Sequence, residues 1–405
     1  MKLQTPKGFK DYLPSEAIRR RVVLEKIKKV FEKFGFDPLE TPTLEFEETL
    51  TGKYGEEEKL IYKFETPGGD KVALKYDQTV PLARVIAQYG PTGAQVLPLP
   101  LKRYQIQSAY RGENPQKGRY REFLQCDADI VGVSSPLADA EILSLIYEIY
   151  SKELGLDVII KINDRVLLNG IEPKYLATLD KLNKIGPDGV LKELTERGLS
   201  VDEAKELYEK VIDLNPSSNL LKIIENFVSM GYPEDALTFD STLIRGLDYY
   251  TGLIVEGVLK ENPTSSSLCG GGRWDNMIGK FTGSDQPAVG FAIGVDRTIE
   301  AMEEMGVLDN TKTSSKVLVT IFSKELEEKS LEVTLKLRES GISTEVWLDP
   351  DAKFEKQLKY ADLKGIPYLV IIGPDEVKEG KIALKNLRDK TQESLTLDEL
   401  ISKLS

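Results

Sequence analysis

Two long β-rich runs, KRYQIQSAY and YREFLQCDADIV, constrain the fold of this chain more than any other feature. They flank a short segment rich in glycine, proline and charge, so together they predict an antiparallel hairpin. LIVEGVL and AVGFAIG are further predicted strands, and LIYKFETPGGDKVALKY predicts a second hairpin about its Pro-Gly-Gly turn. We therefore expect an antiparallel β-sheet to form the centre of the larger part of the chain.

Helical periodicity identifies the predicted helices and helps to divide the chain into domains. Apolar residues recur at a period near 3.6 over residues 15–34, which predicts an amphipathic helix. Residues 169–235 contain only helical patterns, whereas the strand-like runs KVLVTIF, STEVWL and YLVIIG alternate with helical segments near the C-terminus. The predicted domains are an α+β domain over residues 1–168 and 236–308, a helical insertion over 169–235, a polar linker over 309–315 and an α/β domain with a parallel or mixed sheet over 316–405.

Composition excludes several classes of protein. No run approaches the roughly 20 apolar residues of a membrane helix, and MKLQTPKGFKDYLP lacks the apolar core of a signal peptide. We therefore expect a cytoplasmic protein with no membrane partner. A net charge of −12 argues against a protein that coats nucleic acid indiscriminately, although it leaves room for a local basic patch. Because the chain has no histidine and only Cys126 and Cys269, we expect neither zinc nor a disulfide.

An arginine-rich loop is the densest chemical cluster. YRGENPQKGRYREFLQCDADI holds four cations around a Gly/Pro-containing turn, with Glu113 among them: Arg111, Lys117, Arg119 and Arg121. Planar guanidinium groups suit the oxygens of a triphosphate. Strand alternation places Arg121 and Phe123 on one face of the hairpin and Leu124 on the other. Considered alone, the segment is equally consistent with a solvated basic hairpin tip.

Three other segments carry weaker signals. AVGFAIGVDRTIEAM places Arg297 in the first turn of a predicted helix, where an isolated arginine is usually only exposed. The glycines of GGGRWDNMIG more often permit a tight turn or close packing than phosphate binding. RGLDYYTG is more unusual, because Arg245 precedes a glycine-bounded segment that holds Asp248, Tyr249 and Tyr250. This is more polar chemistry than an ordinary strand or turn contains.

Together these segments resemble the class II aminoacyl-tRNA synthetases and, among them, the histidyl-tRNA synthetase family. The first helix and FGFDPLETPTLEF resemble motif 1, with Pro42 at the position associated with the dimer interface. The arginine hairpin resembles motif 2 and GFAIGVDR motif 3, while RGLDYYTG and GGGRWD resemble two signatures of the histidine enzymes. The resemblance implies a homodimer that uses ATP and Mg²⁺ to form histidyl-adenylate from L-histidine. It also implies transfer to the 3′ end of tRNA(His), with the C-terminal domain binding the anticodon.

The resemblance also implies site residues. Arg111 and Arg297 clamp phosphates and are catalytic together with Arg245, which lies near the α-phosphate and the substrate carboxylate. The other implied ATP contacts are Glu113 at the adenine amine, Phe123 stacked on adenine, and Arg119 and Arg121 in the phosphate loop. In the implied histidine site, the substrate's α-ammonium group is held by Asp77, Thr79, Gln125 and Asp129. The other implied residues of the histidine pocket are Arg245, Tyr249, Tyr250, Gly271 and Gly272.

Two alternatives remain at this point. A synthetase-like regulatory or uncharged-tRNA-sensing protein would be expected to lose the histidine signatures or the ATP-clamping arginines, and Arg111, Arg245 and Arg297 are all present. A class II synthetase for another amino acid would keep motifs 2 and 3 without RGLDYYTG. The chain also departs from the family pattern at Leu124 in motif 2 and at Trp274, where the second signature normally has tyrosine.

Overall fold

A computed structural model of the chain describes residues 3–52, 55–115, 118–245, 249–262, 267–308 and 311–405. Lys117 of the arginine hairpin, residues 246–248 of RGLDYYTG and residues 309–310 of the predicted linker lie outside these described ranges. The chain folds into two compact units. One unit comprises Met1–Asp11 and Val23–Leu308, and the other comprises Tyr12–Val22 and Asp309–Ser405.

The first helix agrees with its prediction to within one residue at each end, since it spans Pro14–Lys33. None of the helices in the described part of the chain combines the length and hydropathy of a membrane span. The α-helices of these residues are α1 (Pro14–Lys33), α2 (Glu47–Leu50), α3 (Thr79–Tyr89), α4 (Pro136–Tyr147), α5 (Pro173–Leu179), α6 (Leu182–Glu196), α7 (Val201–Ile212), α8 (Ser218–Ser229), α9 (Gly279–Thr282), α10 (Val295–Glu304), α11 (Glu327–Glu339), α12 (Phe354–Lys364), α13 (Pro374–Glu379) and α14 (Leu397–Leu404).

Within the described ranges, the strands form three sheets. Their bounds are β1 (Asp37–Pro38), β2 (Leu44–Phe46), β3 (Lys63–Glu65), β4 (Lys71–Leu74), β5 (Leu101–Tyr110), β6 (Glu122–Val131), β7 (Val158–Asp164), β8 (Leu237–Phe239), β9 (Leu253–Leu259), β10 (Cys269–Arg273), β11 (Ala288–Gly294), β12 (Val317–Val319), β13 (Thr344–Val346), β14 (Tyr368–Ile371), β15 (Ile382–Asn386) and β16 (Thr391–Leu395).

The main sheet has the order β1-β5-β6-β11-β10-β9-β7-β8. Its inner strands β5, β6, β11, β10, β9 and β7 pair antiparallel, and only the edge strands β1 and β8 pair parallel. The predicted α+β fold with an antiparallel sheet is thus confirmed, as are the two predicted hairpins, β5–β6 and β3–β4. β10 was not predicted as a strand, because a run of glycines offers no side chains to pack.

One face of the main sheet packs on the hydrophobic core. Cys126, Ala128 and Ile130 of β6 point toward that core, which also contains residues of α1 and α4 such as Phe31 and Ile142. Since successive side chains of a strand point to opposite faces, the residues between them on β6 project from the other face. That second face is where the polar residues of the sheet are found.

The C-terminal unit contains a five-stranded mixed sheet of order β13-β12-β14-β15-β16. β13, β12 and β14 run parallel, whereas β15 and β16 are added antiparallel. Its core includes Val317, Leu337 and Val370. The predicted α/β domain with a parallel or mixed sheet is confirmed.

Candidate active site

Small residues form the floor of the site on the polar face of the main sheet. Gln125, Asp127 and Asp129 of β6 lie in register with Gly294, Ala292 and Gly290 of β11, respectively. A Cβ atom added at Gly290 would lie 2.0 Å from Oδ1 of Asp129. A Cβ atom at Gly270 would lie 1.5 Å from Nη1 of Arg245. The glycines therefore create the space that these two functional side chains occupy.

Two cavities adjoin on this floor. The first has a volume of about 260 Å³ and the second about 410 Å³. Among the predicted site residues, Glu113, Phe123 and Arg297 line the first cavity, whereas Asp77, Thr79, Asp129, Tyr249, Tyr250 and Gly271 line the second. Both cavities are lined by Arg111, Arg119, Gln125 and Arg245, which therefore stand at the junction.

The first cavity collects positive charge. Arg297 lies in the first turn of α10, as predicted, and its Nη1 donates to the carbonyl oxygen of Ser267 at 3.0 Å. Burial and then repulsion from Arg119 lower the pKa of Arg297. Arg119 itself lies 3.3 Å from Glu113. Two mutually repelling guanidinium groups around one cavity favour an anionic ligand, because an anion relieves the repulsion.

Arg111 lies against aromatic rings at the junction. Its guanidinium carbon is 4.4 Å from the ring centroid of Tyr76 and 5.1 Å from that of Phe123. Its Nε donates to the carbonyl oxygen of Tyr76 at 3.2 Å. Phe123 and Leu124 both line the first cavity, and Leu124 also packs against the main core.

Arg121 and Gly272 are not brought into either cavity. Arg121 donates from Nε to the carbonyl oxygen of Glu113 at 2.9 Å, and its side chain packs against Gly8. Gly272 instead lies next to Tyr250, which lines the second cavity. A Cβ atom added at Gly272 would lie 2.8 Å from Cδ1 of Tyr250. Arg121 therefore orders the loop backbone in this structure, and Gly272 gives room to a cavity-lining ring.

The second cavity has an acidic wall. Oδ1 of Asp77 accepts the backbone N–H groups of Thr79 at 3.1 Å and Val80 at 3.2 Å, which orients this carboxylate at the start of α3. Burial raises the pKa of Asp129 to about 6, against the opposing effect of Arg103. Nε2 of Gln125 donates to Oδ2 of Asp127 at 3.2 Å. Carboxylates held in this way suit a cationic amine.

A tyrosine pair forms the opposite wall of the second cavity. The ring centroids of Tyr249 and Tyr250 lie 4.9 Å apart with an interplanar angle of 54°. Burial raises the pKa of both hydroxyls, so both remain protonated at neutral pH. Each hydroxyl can therefore donate or accept a hydrogen bond.

Arg245 is held in an unusual backbone conformation. Its φ of 53° lies in the left-handed region that non-glycine residues rarely adopt. Its backbone N–H donates to Oδ1 of Asp180 at 3.1 Å. Nη1 lies 3.6 Å from Oε1 of Glu256, and within the described residues it has no hydrogen-bond partner. The guanidinium therefore retains donors for a ligand at the junction.

Several lining residues were missed by sequence reasoning. Asp127 could have been found, because it shares the strand face of Gln125 and Asp129. Asp180 and Lys184 come from the segment predicted as a helical insertion, and no local pattern marks them. Trp274, the residue that departs from the family pattern, lines the second cavity, and its indole lowers the pKa of Asp129. In the described ranges, no three His, Cys, Asp or Glu residues are grouped to hold a metal ion.

Comparisons with known proteins identify the family of this chain. A family model described as "Histidyl-tRNA synthetase" matches residues 8–171 and 159–298, and one described as "Anticodon binding domain" matches residues 316–405. The chain is 40% identical to a histidine--tRNA ligase of Wolinella succinogenes, with 95% of this chain and 94% of the relative covered. It is 38% identical to that of Aeropyrum pernix, with coverage of 98% and 96%.

A solved structure is similar over the whole chain. The histidyl-tRNA synthetase from Nostoc sp. PCC 7120 superposes with a TM-score of 0.85 at 31% identity, covering 100% of this chain and 99% of that one. The antiparallel sheet, its two adjoining cavities and the matching C-terminal unit define a class II aminoacyl-tRNA synthetase. Within that class, the chain belongs to the histidyl-tRNA synthetase family.

Proposed function

We propose that this protein activates L-histidine with ATP to form histidyl-adenylate and then transfers the histidyl group to the 3′ end of tRNA(His). The observation that carries the proposal is the pair of adjoining cavities, one lined by arginines and the other by carboxylates and tyrosines. Arg111 and Arg245 stand where the two cavities meet. This arrangement suits two substrates that react at the junction.

ATP occupies the first cavity in this proposal. Arg297 and Arg119 bind its phosphates, which relieves the repulsion between the two guanidinium groups. Phe123 stacks on the adenine ring and Glu113 accepts a hydrogen bond from the adenine amine. Arg121 contributes through the loop backbone to which it donates rather than through a direct contact.

Histidine occupies the second cavity. Its α-ammonium group is held by Asp77, Gln125 and Asp129, with Thr79 beside them. Neutral imidazole has one N–H donor and one acceptor nitrogen, and the two protonated tyrosine hydroxyls can match both. Gly271 lines this cavity, and Gly272 leaves room for the Tyr250 ring.

The chemistry of activation needs no histidine in the protein. An oxygen of the substrate carboxylate attacks the α-phosphorus of ATP, so that a carboxylate–phosphorus bond forms and pyrophosphate leaves. The nucleophile is already ionised and therefore needs no general base. Arg111 and Arg245 hold the carboxylate and the α-phosphate in line and stabilise the charge that builds on the phosphate oxygens. In the second step, a terminal ribose hydroxyl of the tRNA attacks the carbonyl carbon of the adenylate. An ester bond forms, the bond from that carbon to the phosphate oxygen breaks so that AMP leaves, and the hydroxyl proton passes to a phosphate oxygen of the nucleotide.

Mg²⁺ accompanies ATP in this proposal. It usually keeps several water and phosphate oxygens and needs only one or two protein carboxylates. Asp296 lines the first cavity, so a carboxylate is present for an ion carried with the nucleotide. The ion would supply further charge compensation to the phosphates.

The proposal also includes the oligomeric state, the cellular location and the domains of the protein. The protein acts in the cytoplasm as a homodimer, and residues 316–405 bind the tRNA anticodon. Residues 1–168 and 236–308 form the catalytic domain, 169–235 a helical insertion and 309–315 a linker. The match of residues 316–405 to the anticodon-binding family supports the assignment of this last domain.

Amino-acid-dependent exchange of pyrophosphate into ATP tests the first step, with each of the other amino acids as a control. We expect exchange with histidine alone. Charging of tRNA(His) transcripts then tests the second step. Exchange with none of the amino acids would contradict the proposal and favour a regulatory or tRNA-sensing protein, and exchange with a different amino acid would reassign the substrate.

A further inference from the structure

A buried arginine lies directly behind the acidic wall of the second cavity. Arg103 on β5 is in register with Asp129 on β6, and only 1% of its surface is exposed. Nη2 of Arg103 lies 2.6 Å from Oδ2 of Asp129, and Nη1 donates to Oε1 of Gln105 at 3.2 Å. Arg103 is not among the residues that line either cavity. It can therefore act on a substrate only through its neighbours.

The acidic wall places several buried carboxylates close together, and Arg103 compensates part of their negative charge. Asp77, Asp127 and Asp129 line one cavity, whereas the substrate ammonium carries a single positive charge. Four cations line the same cavity, namely Arg111, Arg119, Lys184 and Arg245. Among them Arg111 also lowers the pKa of Asp127, but with a smaller effect than Arg103. Burial raises the pKa of Asp127 well above its ordinary value and that of Asp129 to about 6, and in both cases Arg103 is the main opposing influence. Neighbouring buried acids tend to hold a proton between them unless a cation compensates.

The other groups that face Asp129 in the described part of the chain do not supply that cation. Its own strand contributes Asp127, the segment before α3 contributes Asp77, and the neutral Trp274 indole lowers the pKa of Asp129. Tyr250 faces it from the tyrosine wall, and β11 presents only Gly290. Lys75, another fully buried cation near the wall, directs its Nζ to Oε1 of Gln107 at 2.6 Å instead.

The position of the ion pair also fixes the orientation of the carboxylate. Oδ2 of Asp129 faces Arg103, whereas Oδ1 lies above Gly290, which lines the cavity. We propose that Arg103 is a positioning residue for histidine activation, which turns one oxygen of Asp129 toward the substrate ammonium and balances the charge of the acidic wall. This inference rests on the proposed function. It assigns a role in recognising the amine to a residue that contacts no substrate.

Two variants at Arg103 separate the effect of its positive charge from the effect of its planar guanidinium group. Arg103→Gln removes the cation but keeps a donor for Asp129, and Arg103→Lys keeps the cation but loses the planar fork. Arg84→Gln is the matched control, because Arg84 makes a bidentate pair with Glu45 at 2.7 Å outside both cavities. The readouts are KM for histidine and ATP in pyrophosphate exchange, and inhibition by the desamino analogue imidazolepropionate. The pH profile is measured with a triazole analogue of histidine, whose ring does not titrate in the range studied.

We expect Arg103→Gln to raise KM for histidine by about tenfold or more, as loss of one charge partner shifts a carboxylate by about one pKa unit or more. KM for ATP and inhibition by the desamino analogue stay within about twofold, since neither depends on the ammonium contact. The acid limb of kcat/KM moves to higher pH, because the influence that favours the Asp129 carboxylate is lost. Arg103→Lys and Arg84→Gln keep the acid limb of the wild type.

An unchanged KM for histidine and an unchanged acid limb in Arg103→Gln would overturn the assignment, as would equal weakening of histidine and the desamino analogue. If Arg103→Gln does not fold, the proposal is tested with Arg103→Lys instead. Its KM relative to the wild type rises as pH approaches ~10, where lysine but not arginine loses its charge, and a constant ratio would defeat the proposal. Absence of histidine-dependent exchange in the wild type would instead remove the proposed function itself.

Discussion

Gly270→Ala is expected to displace the arginine at the junction of the two cavities. The added Cβ atom would lie 1.5 Å from Nη1, 2.3 Å from Cζ and 2.7 Å from Nη2 of Arg245. An ordinary contact is about 3.5 Å, so the guanidinium has to retreat by about 2 Å. Because these atoms are at the end of a flexible side chain, Arg245 moves and β10 keeps its place in the sheet.

The displacement affects chemistry more than stability. A misplacement of about 1 Å can cost about 10²-fold in rate, so we expect kcat of pyrophosphate exchange to fall by at least that factor. Tm stays close to that of the wild type, since no buried backbone contact is broken. Gly68→Ala serves as the control, because the nearest atom to its added Cβ is the Thr66 hydroxyl oxygen at 3.7 Å. A wild-type kcat in Gly270→Ala would refute the role of Arg245 at the junction.

Three further predictions concern the same site. Arg245→Lys keeps a cation but loses the fork, and we expect it to cost about 2 to 4 kcal/mol of transition-state stabilisation in kcat, measured by pyrophosphate exchange; a wild-type kcat contradicts this. Asp180→Ala removes the acceptor that holds the Arg245 backbone and should lower kcat by about tenfold, whereas Asp180→Asn, which keeps an acceptor, should retain most of it; equal activities would exclude the contact as the cause. Since the Asp129 carboxylate must be ionised to hold the ammonium, its pKa of about 6 predicts that activation is lost as pH falls through that value. The acid limb should then persist with a triazole analogue of histidine, and its disappearance would assign the limb to the substrate imidazole.

The sequence predicted those strands of the main sheet whose residues have a high β propensity. β5, β6, β9 and β11 are rich in β-branched and aromatic residues, and such residues favour a pleated surface wherever it is placed. β10 escaped prediction because Cys269–Arg273 is mostly glycine. Its place in the sheet comes from β9 and β11, which pair with it on both sides, and local propensity contains no information about such partners.

Spacing and chemistry in the sequence by themselves determined which residue types the site would contain. The arginines, the tyrosine pair and the acids of motif 2 are local patterns, and their resemblance to a family indicated substrates. Only the tertiary structure decided that Asp180, from a distant helical segment, accepts the Arg245 backbone N–H, and that Arg121 is directed to backbone carbonyls rather than into a cavity. It also decided that Arg103, which the sequence presents as one residue of an ordinary strand, faces Asp129. The physical reason is that pairing register and burial depend on contacts between distant segments, and no short stretch of sequence records them.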